Sequence, residues 1–291
     1  MLILGMPIKR CILALVLSLI LALSAGCGLF SGQTPVTPRA TSFSVTFLDV
    51  GQADSTLVQD HGKTLLVDAG TNDGAKNLVS TLRQLGVRKL DILVGTHPHE
   101  DHIGGMDSII KNFAVGAVYL PDVSYSTRTF EDVLAAISAR GLKITVPKPA
   151  DTFILGQATG LFLAPNSSAY DDINNYSIVI RLQYGNNSFL FTGDAQTLSE
   201  QEMLVRGFNL KSDVLKVGHH GSSSSTSAAF LSAVSPRFAV IMVGKNNDYG
   251  HPHQETLQKL KEAGARIFRT DLNGNITFNS DGDALTVQTQ R

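Results

Sequence analysis

From Phe43 onward the chain alternates short apolar runs with longer amphipathic stretches. Phe43, Val45 and Phe47 recur at every second position, the period of a half-buried strand, and Leu57-Val58 and Thr64–Val67 read as two more strands. Lys76–Leu85 changes period: Leu78, Val79, Leu82 and Leu85 fall on one helical face, and Gly86 marks its stop. Strands follow at Asp91–Val94 and Val115–Leu120, with a short helix at Asp107–Lys111 between them and a longer one at Thr129–Arg140 after them. Lys143–Val146, Thr152–Leu155 and Leu161–Ala164 read as strands. Ile178–Leu182 and Ser188–Phe191 pair as a hairpin across Gly185-Asn186-Asn187, residues that tolerate positive φ. The remainder predicts helices at Ser199–Val205, Ala228–Val234 and Gln254–Ala263. Strands are expected at Val214–Val217, Phe238–Val243 and, closing the chain, near Ile267 and Ile276.

Strands with helices interspersed along the chain imply layered α/β architecture. Four predicted strands end just before residues able to bind metal: 91–94 before His97, 188–192 before Asp194, 214–217 before His219 and His220, and 238–243 before His251. Loops at one rim of a rigid scaffold are where active sites are built.

The first residues have a different character. Lys9 and Arg10 precede an apolar run from Cys11 to Leu23 that ends in Ser24-Ala25-Gly26-Cys27, which reads as a secretory signal over residues 1–26. The run is short for a membrane span, which needs roughly 20 residues. Small residues before Cys27 resemble a bacterial lipobox, making Cys27 the expected lipidation site and membrane tether, although Ser24 departs from the usual aliphatic residue. An uncleaved anchor and ordinary secretion are the other readings, and all three place the remainder outside the cytoplasm. Residues 27–41, with Gly, Ser, Thr and two prolines, read as a flexible tether, leaving 42–291 as one domain. Cys11 and Cys27 are the only cysteines, so no disulfide braces that domain and no thiolate is available to a metal.

Thr96-His97-Pro98-His99-Glu100-Asp101-His102-Ile103-Gly104-Gly105 concentrates three of the eight histidines of the chain with an aspartate. Neutral imidazole and carboxylate are the usual non-thiolate ligands of a divalent transition metal. In an extended loop His97, His99 and Asp101 would point one way and His102 another. Four ligands so close suit two neighbouring ions better than one, whereas a His-rich surface turn is the bland alternative. The formal charge is −1, and removal of the two cations in residues 1–26 takes it to −3, so no basic footprint advertises nucleic acid.

The H-x-H-x-D-H pattern at His97, His99, Asp101 and His102 is joined by Leu48–Ser55, Val67–Gly70, Asn174–Ser177, Thr192–Ala195, Lys216–Ser222 and Tyr249–His253. Together these stretches resemble the metallo-β-lactamase superfamily, and within it the extracellular domain of ComEC-type competence proteins. The resemblance spans about residues 43–283 and implies an α/β fold, a four-layer αββα sandwich with two divalent ions, Zn or Mn, at one edge. Such competence proteins also carry a membrane channel and an oligonucleotide-binding module. Neither is expected here, which suggests a stand-alone hydrolase domain and not a DNA pore.

The resemblance implies one ion held by His97, His99 and Asp194, and a second by Asp101, His102, Asp194 and one of His219 or His220. Neighbouring residues at a strand end point oppositely, and His220 is preferred as the ligand. His219 would then orient substrate or protonate a leaving group. The superfamily usually has a further histidine before Asp194, but Asn174-Asn175-Tyr176-Ser177 holds none, leaving the first ion three protein ligands. Asp68 is expected to accept from a ligand imidazole. Asp49, Gln52, Asp54, Ser55, Asn175, Ser177 and Ser222 are expected along the substrate rim, with His251 and His253 contacting phosphate, although His253 also suits a helix cap. Asp101, His219 and His251 are the expected catalytic residues. The reading that follows is a metal-dependent hydrolase, most concretely a phosphodiesterase acting on DNA. Its alternatives are another ester (choline-phosphate, lactone or β-lactam) and a non-enzymatic accessory of DNA uptake. No obligate protein partner is inferred.

Overall fold

The computed structural model describes residues 43–291; the expected signal segment, the tether and Cys27 lie outside the described residues. Fifteen strands form two sheets among these residues. The first sheet contains β1 (Phe43–Phe47), β2 (Thr56–Asp60), β3 (Lys63–Val67), β4 (Lys89–Val94), β5 (Ala114–Tyr119), β6 (Ile144–Thr145), β14 (Ile276–Ser280) and β15 (Leu285–Thr289). Its order is β15-β14-β1-β2-β3-β4-β5-β6. The second contains β7 (Thr152–Leu155), β8 (Ala158–Ala164), β9 (Val179–Tyr184), β10 (Asn187–Phe191), β11 (Val214–Lys216), β12 (Phe238–Ile241) and β13 (Arg266–Arg269), ordered β13-β12-β11-β10-β9-β8-β7. Helices α1 (Ala75–Gln84), α2 (Glu100–Ile103), α3 (Met106–Asn112) and α4 (Arg128–Ala139) precede α5 (Thr197–Val205), α6 (Ala228–Val234), α7 (Gln254–Glu262) and α8 (Thr270–Asn273).

Side-chain alternation along the strands explains the layering, because successive residues face opposite sides of a sheet. Phe43, Val45, Phe47, Leu65, Val67, Ile92, Val94, Phe189 and Phe191 fill a core between the two sheets. Their neighbours Leu66, Leu93 and Leu57 turn outward to meet Leu78, Leu82, Ile109, Ile110, Val133 and Ile137. On the other side Leu190, Leu215 and Ile241 meet Met203, Phe230, Leu231 and Leu260. Three apolar seams therefore separate four layers, an αββα sandwich. Among the described residues no helix is long and apolar enough to cross a membrane.

Most predicted elements are present, with three differences. Glu100–Ile103 is helical where an extended loop is expected, and β15 is a third closing strand, its Leu285, Val287 and Thr289 standing opposite Ser280, Phe278 and Ile276 of β14. The β9–β10 hairpin closes tightly at Gly185-Asn186, with Gly185 at φ 54° and Asn187 already paired to Tyr184. β3 runs parallel to β4, and β10, β11 and β12 run parallel to one another, so their C-terminal ends lie along common edges. These ends carry the chemistry.

Candidate metal centre

Past β4, Gly95 donates to the Tyr119 carbonyl (3.0 Å), and the chain turns inward so that Thr96 and His97 are fully buried. His99 stays extended (φ −71°, ψ 149°) at the N-terminal flank of α2. The helical turn that follows, not an extended run, presents Asp101 and His102. Gly104 and Gly105 let this segment lie against the loop after β3: a Cβ on Gly104 would meet the Asn72 nitrogen at 2.3 Å, and one on Gly105 the Ala69 oxygen at 2.3 Å.

One donor atom each from Asp101, His102, Asp194 and His220 lie within 4.8 Å of one another. His102 Nε2 is 3.3 Å from Asp194 Oδ2 and 3.6 Å from Asp101 Oδ2, and His220 Nε2 is 3.5 and 3.0 Å from the same two oxygens. His220 Nδ1 is 2.9 Å from the Met242 carbonyl, to which it donates, leaving Nε2 as a lone-pair donor. His102 Nδ1 is likewise 2.9 Å from Asp68 Oδ2. Buried His102 Nε2 has no hydrogen-bond partner, a rare condition for a buried polar atom and one that a cation would relieve. The donor set, two imidazoles and two carboxylates without sulfur, fits a divalent transition metal.

His97 and His99 stand beside this group, His97 Nε2 being 3.0 Å from His99 Nδ1 and its ring centroid 4.1 Å from that of His102. Among the described residues no cluster of three donors closes around this pair. His219 Nε2 lies 3.8 Å from Asp194 Oδ2, and its Nδ1 meets Ser224 Oγ at 3.0 Å. His219 and His220 are not at an extended strand end as expected: both are left-handed, at φ 48° and 53°, in a 3-10 turn over Gly218–Gly221. Two consecutive non-glycine residues in that region store backbone strain of order 1–3 kcal/mol each, characteristic of functional sites.

Behind the donors lies a second tier that sequence reasoning reached only in part. Asp68 sits at φ 61°, and its carboxylate accepts from Thr96 N (2.8 Å) and Thr96 Oγ1 (2.9 Å) as well as facing His102. Lys216, 2% exposed, was not anticipated; a lysine inside the apolar run Val214-Leu215-Lys216-Val217 was the available signal. Its ammonium pairs with Asp54, donates to the Gly193 carbonyl (2.8 Å) and lies 3.5 Å from Asp194 Oδ1. Asp54, Asp68 and His102 also converge as a cation-capable group, but Lys216 already supplies a charge to Asp54.

Burial opposes charge throughout the cluster, and neighbouring charges decide the outcome. His97, deep and beside His102, is held well below its ordinary pKa, and burial lowers His99 and His219 too. His102 and His220 go the other way despite burial: Asp194 and Asp101 hold His102 well above its usual value, and Asp194 with Asp54 raises His220 to about 10. Asp101 and Asp194 stay well below the usual carboxylate range because those imidazoles face them. A metal cation held by these four side chains would take over the neutralisation of Asp101 and Asp194 and require both imidazoles in their neutral form.

Several expected rim residues lie elsewhere. Ser55 is fully buried and donates to the Asp68 carbonyl (3.1 Å), so it braces the fold and cannot touch substrate. Asp54 is buried against Lys216. Ser177, also fully buried, has its Oγ 3.3 Å from His97 Nδ1 and accepts there from Asp194 N (3.0 Å). Asn175 accepts from Gln196 N (3.2 Å) and is 4% exposed. Asp49 pairs with Arg291 (2.6 Å) in a separate cleft beside α1. The serine run serves the fold: Ser222 Oγ meets Ser224 Oγ, and Ser225 Oγ donates to the Ala195 carbonyl. His253 flanks α7 without a side-chain cap and instead accepts from Ser223 N at 3.0 Å. Gln52 and His251 do line the cleft in front of the cluster, as do His99, Asp101, Asp194, His219 and His220. His251 Nδ1 is buried without a partner, and burial beside His219 and His220 lowers its pKa to about 4.

The sandwich and this His/Asp edge define a metallo-hydrolase fold, and the sequence profile of the Metallo-beta-lactamase superfamily matches residues 48–245. The chain belongs to that superfamily. It is 35% identical over 252 residues to ComE operon protein 3 of Bacillus subtilis, covering 80% of this chain and 32% of that protein. It is 32% identical to Competence protein ComA of Neisseria gonorrhoeae, covering 98% and 40% respectively. The chain spans between 30 and 40% of the length of these competence relatives and of Recombination protein 2 of Haemophilus influenzae. Solved structures share the fold at lower identity. CmlA, a diiron β-hydroxylase from Streptomyces venezuelae, aligns at TM-score 0.56 and 17% identity over 84% of this chain and 55% of that one. Igni18, a metallo hydrolase from Ignicoccus hospitalis, aligns at TM-score 0.54 and 16% identity over 82% and 100%.

Proposed function

We propose that this protein is a metal-dependent phosphodiesterase that cleaves DNA outside the cytoplasmic membrane, tethered there through lipidated Cys27 and the segment 27–41. The observation that carries the metal chemistry is buried His102 Nε2, without a hydrogen-bond partner inside a four-residue donor group that borders a cleft. The 30–35% identity to ComE operon protein 3, ComA and Recombination protein 2 supports nucleic acid as the substrate.

Asp101, His102, Asp194 and His220 would hold one divalent ion, and His97 with His99 would face a second, with Zn and Mn both compatible. Such ions supply a nucleophilic water at neutral pH and stabilise negative charge on the attacked ester. The protein side chains do the rest. Asp68 and Met242 O fix the tautomers of His102 and His220, so that each directs Nε2 at the centre. His251, neutral at pH 7 on the cleft wall, donates to a phosphate oxygen from Nε2, its Nδ1 being buried. His219, on the cleft wall and oriented by Ser224, is kept neutral by burial and orients the leaving oxygen by hydrogen bonding.

The test is incubation of the purified protein with single- and double-stranded DNA in Mn²⁺, in Zn²⁺ and in chelator, beside Asp101→Ala. Metal-dependent cleavage lost in the variant is expected. Folded, metal-loaded protein that leaves DNA intact would refute the nuclease reading.

A further inference from the structure

The cleft in front of the donors has a volume of about 580 Å³. It is lined by the carboxylates of Glu100, Asp101 and Asp194 and by no lysine or arginine. A nucleic acid therefore cannot be held there by a basic groove tracking its backbone, the usual source of sequence-independent affinity. What the cleft offers instead is two tyrosines, one from a loop of each sheet. Tyr125 follows β5, and its ring centroid is 5.7 Å from that of His99. Tyr249 follows β12 and lies 5.6 Å from His251 at an interplanar angle of 21°, so one face rests on the imidazole. With 68% of its surface exposed, the other face is open. An exposed aromatic stacked on a residue of the reaction centre has no core role to explain it.

We infer that Tyr125 and Tyr249 are stacking platforms for nucleobases, which makes this a site for unpaired strands. The inference rests on the phosphodiesterase reading and assigns its substrate form. Every base has a π-face, so stacking holds a strand without reading its sequence. A duplex keeps those faces inside its own stack and presents only phosphates, for which this cleft has no cationic wall. Metal held by Asp101, His102, Asp194 and His220 would bind the scissile phosphate, and the tyrosines hold the bases beside it.

The experiment uses metal-loaded protein, wild type and Tyr125→Ala, Tyr249→Ala and the two Tyr→Phe variants. Its substrates are a short oligothymidylate, the same strand with abasic sites, the strand annealed to its complement, and p-nitrophenyl phosphorylcholine. Each alanine variant is expected to raise KM for the oligothymidylate roughly tenfold, within the range stacking losses produce, and phenylalanine to restore it. The abasic strand should be poor for wild type and indifferent to the substitutions. KM should change little between about 50 and 200 mM salt, because few phosphate–cation contacts are made. Equal cleavage of the intact strand by all variants, or an equal loss on the abasic strand, would overturn the inference. Loss confined to the choline ester would overturn it too, assigning the rings to a quaternary ammonium through cation–π contact. If wild type cleaves no phosphodiester, the function reading fails by itself, and fluorescence anisotropy of oligothymidylate binding by the same variants still decides whether the tyrosines stack bases.

Discussion

The ammonium of Lys216 lies 3.5 Å from Asp194 Oδ1, inside a layer where both side chains are 3% exposed. The same ammonium pairs with Asp54 and donates to the Gly193 carbonyl, so one buried cation ties together the loops after β1 and β10. Its pKa is raised: burial works against the charge, but Asp54 and Asp194 outweigh it. Removing one partner of a buried pair leaves an uncompensated charge, at a cost of about 3–5 kcal/mol. Lys216→Met is therefore expected to lower unfolding stability by an amount in that range, read in urea titrations. Adding Asp54→Asn should recover most of the loss, because the orphan charge is gone. Non-recovery in the double variant would show that the lysine acts through Gly193 and Asp194 alone.

Asp68 acts on the centre without entering it. It accepts from both donors of Thr96, N and Oγ1, and faces His102 Nδ1 at 2.9 Å, fixing the ring that directs Nε2 inward. Carboxylates in this position typically contribute 10- to 100-fold in metal affinity. Asp68→Asn is expected to weaken Mn²⁺ or Zn²⁺ binding by about that factor, measured by competition with a chromophoric chelator. Unchanged affinity would reduce Asp68 to a partner of the Thr96 backbone.

Metal loading should also stabilise the fold. A ligand that binds only the native state at about 100 times its Kd adds about 2.7 kcal/mol. The melting temperature should rise on adding Mn²⁺ or Zn²⁺ and fall back with chelator. Asp194→Ala, which removes the carboxylate facing both His102 and His220, should abolish that increment. An increment that survives would place the bound metal elsewhere.

How much of this was legible in the sequence depended on what kind of interaction each feature rests on. Strand positions such as Phe43, Val45 and Phe47 announce themselves because a period-2 apolar pattern is local, and so is the His97–His102 cluster. Asp194 and His220 could be placed beside it because their strands end where polar residues begin. Lys216 was missed because its partner Asp54 is 162 positions away, and nothing in a strand of four residues says which charge will meet it. Ser55 and Ser177 are expected on the rim only because they stand in the stretches that carry the family resemblance. Only the packing shows that Asp68 O and His97 use them. Tyr249 sits in a motif quoted for its histidines, and its exposure is a property of the loop.

Glu200 offers a test of pH dependence away from the metal donors. It is 2% exposed on α5, and its two carboxylate oxygens accept from Thr226 N and Ser227 N (2.9 Å to the latter), at the entry to α6. Burial raises its pKa above the ordinary 4.5, more than these backbone donors lower it. A group raised in the folded state favours folding most when protonated. Its contribution is complete below the unfolded value of 4.5 and is lost as pH climbs through the folded value. Glutamine cannot titrate and leaves one of the two backbone donors without an acceptor, costing about 1–3 kcal/mol. Glu200→Gln is therefore expected to destabilise the protein more at pH 4 than at pH 7, in urea unfolding of wild type and variant side by side. The metal-centre titrations are common to both proteins and cancel in the difference. A cost that grows with pH would mean that the carboxylate is charged in the fold and that its two backbone donors outweigh burial.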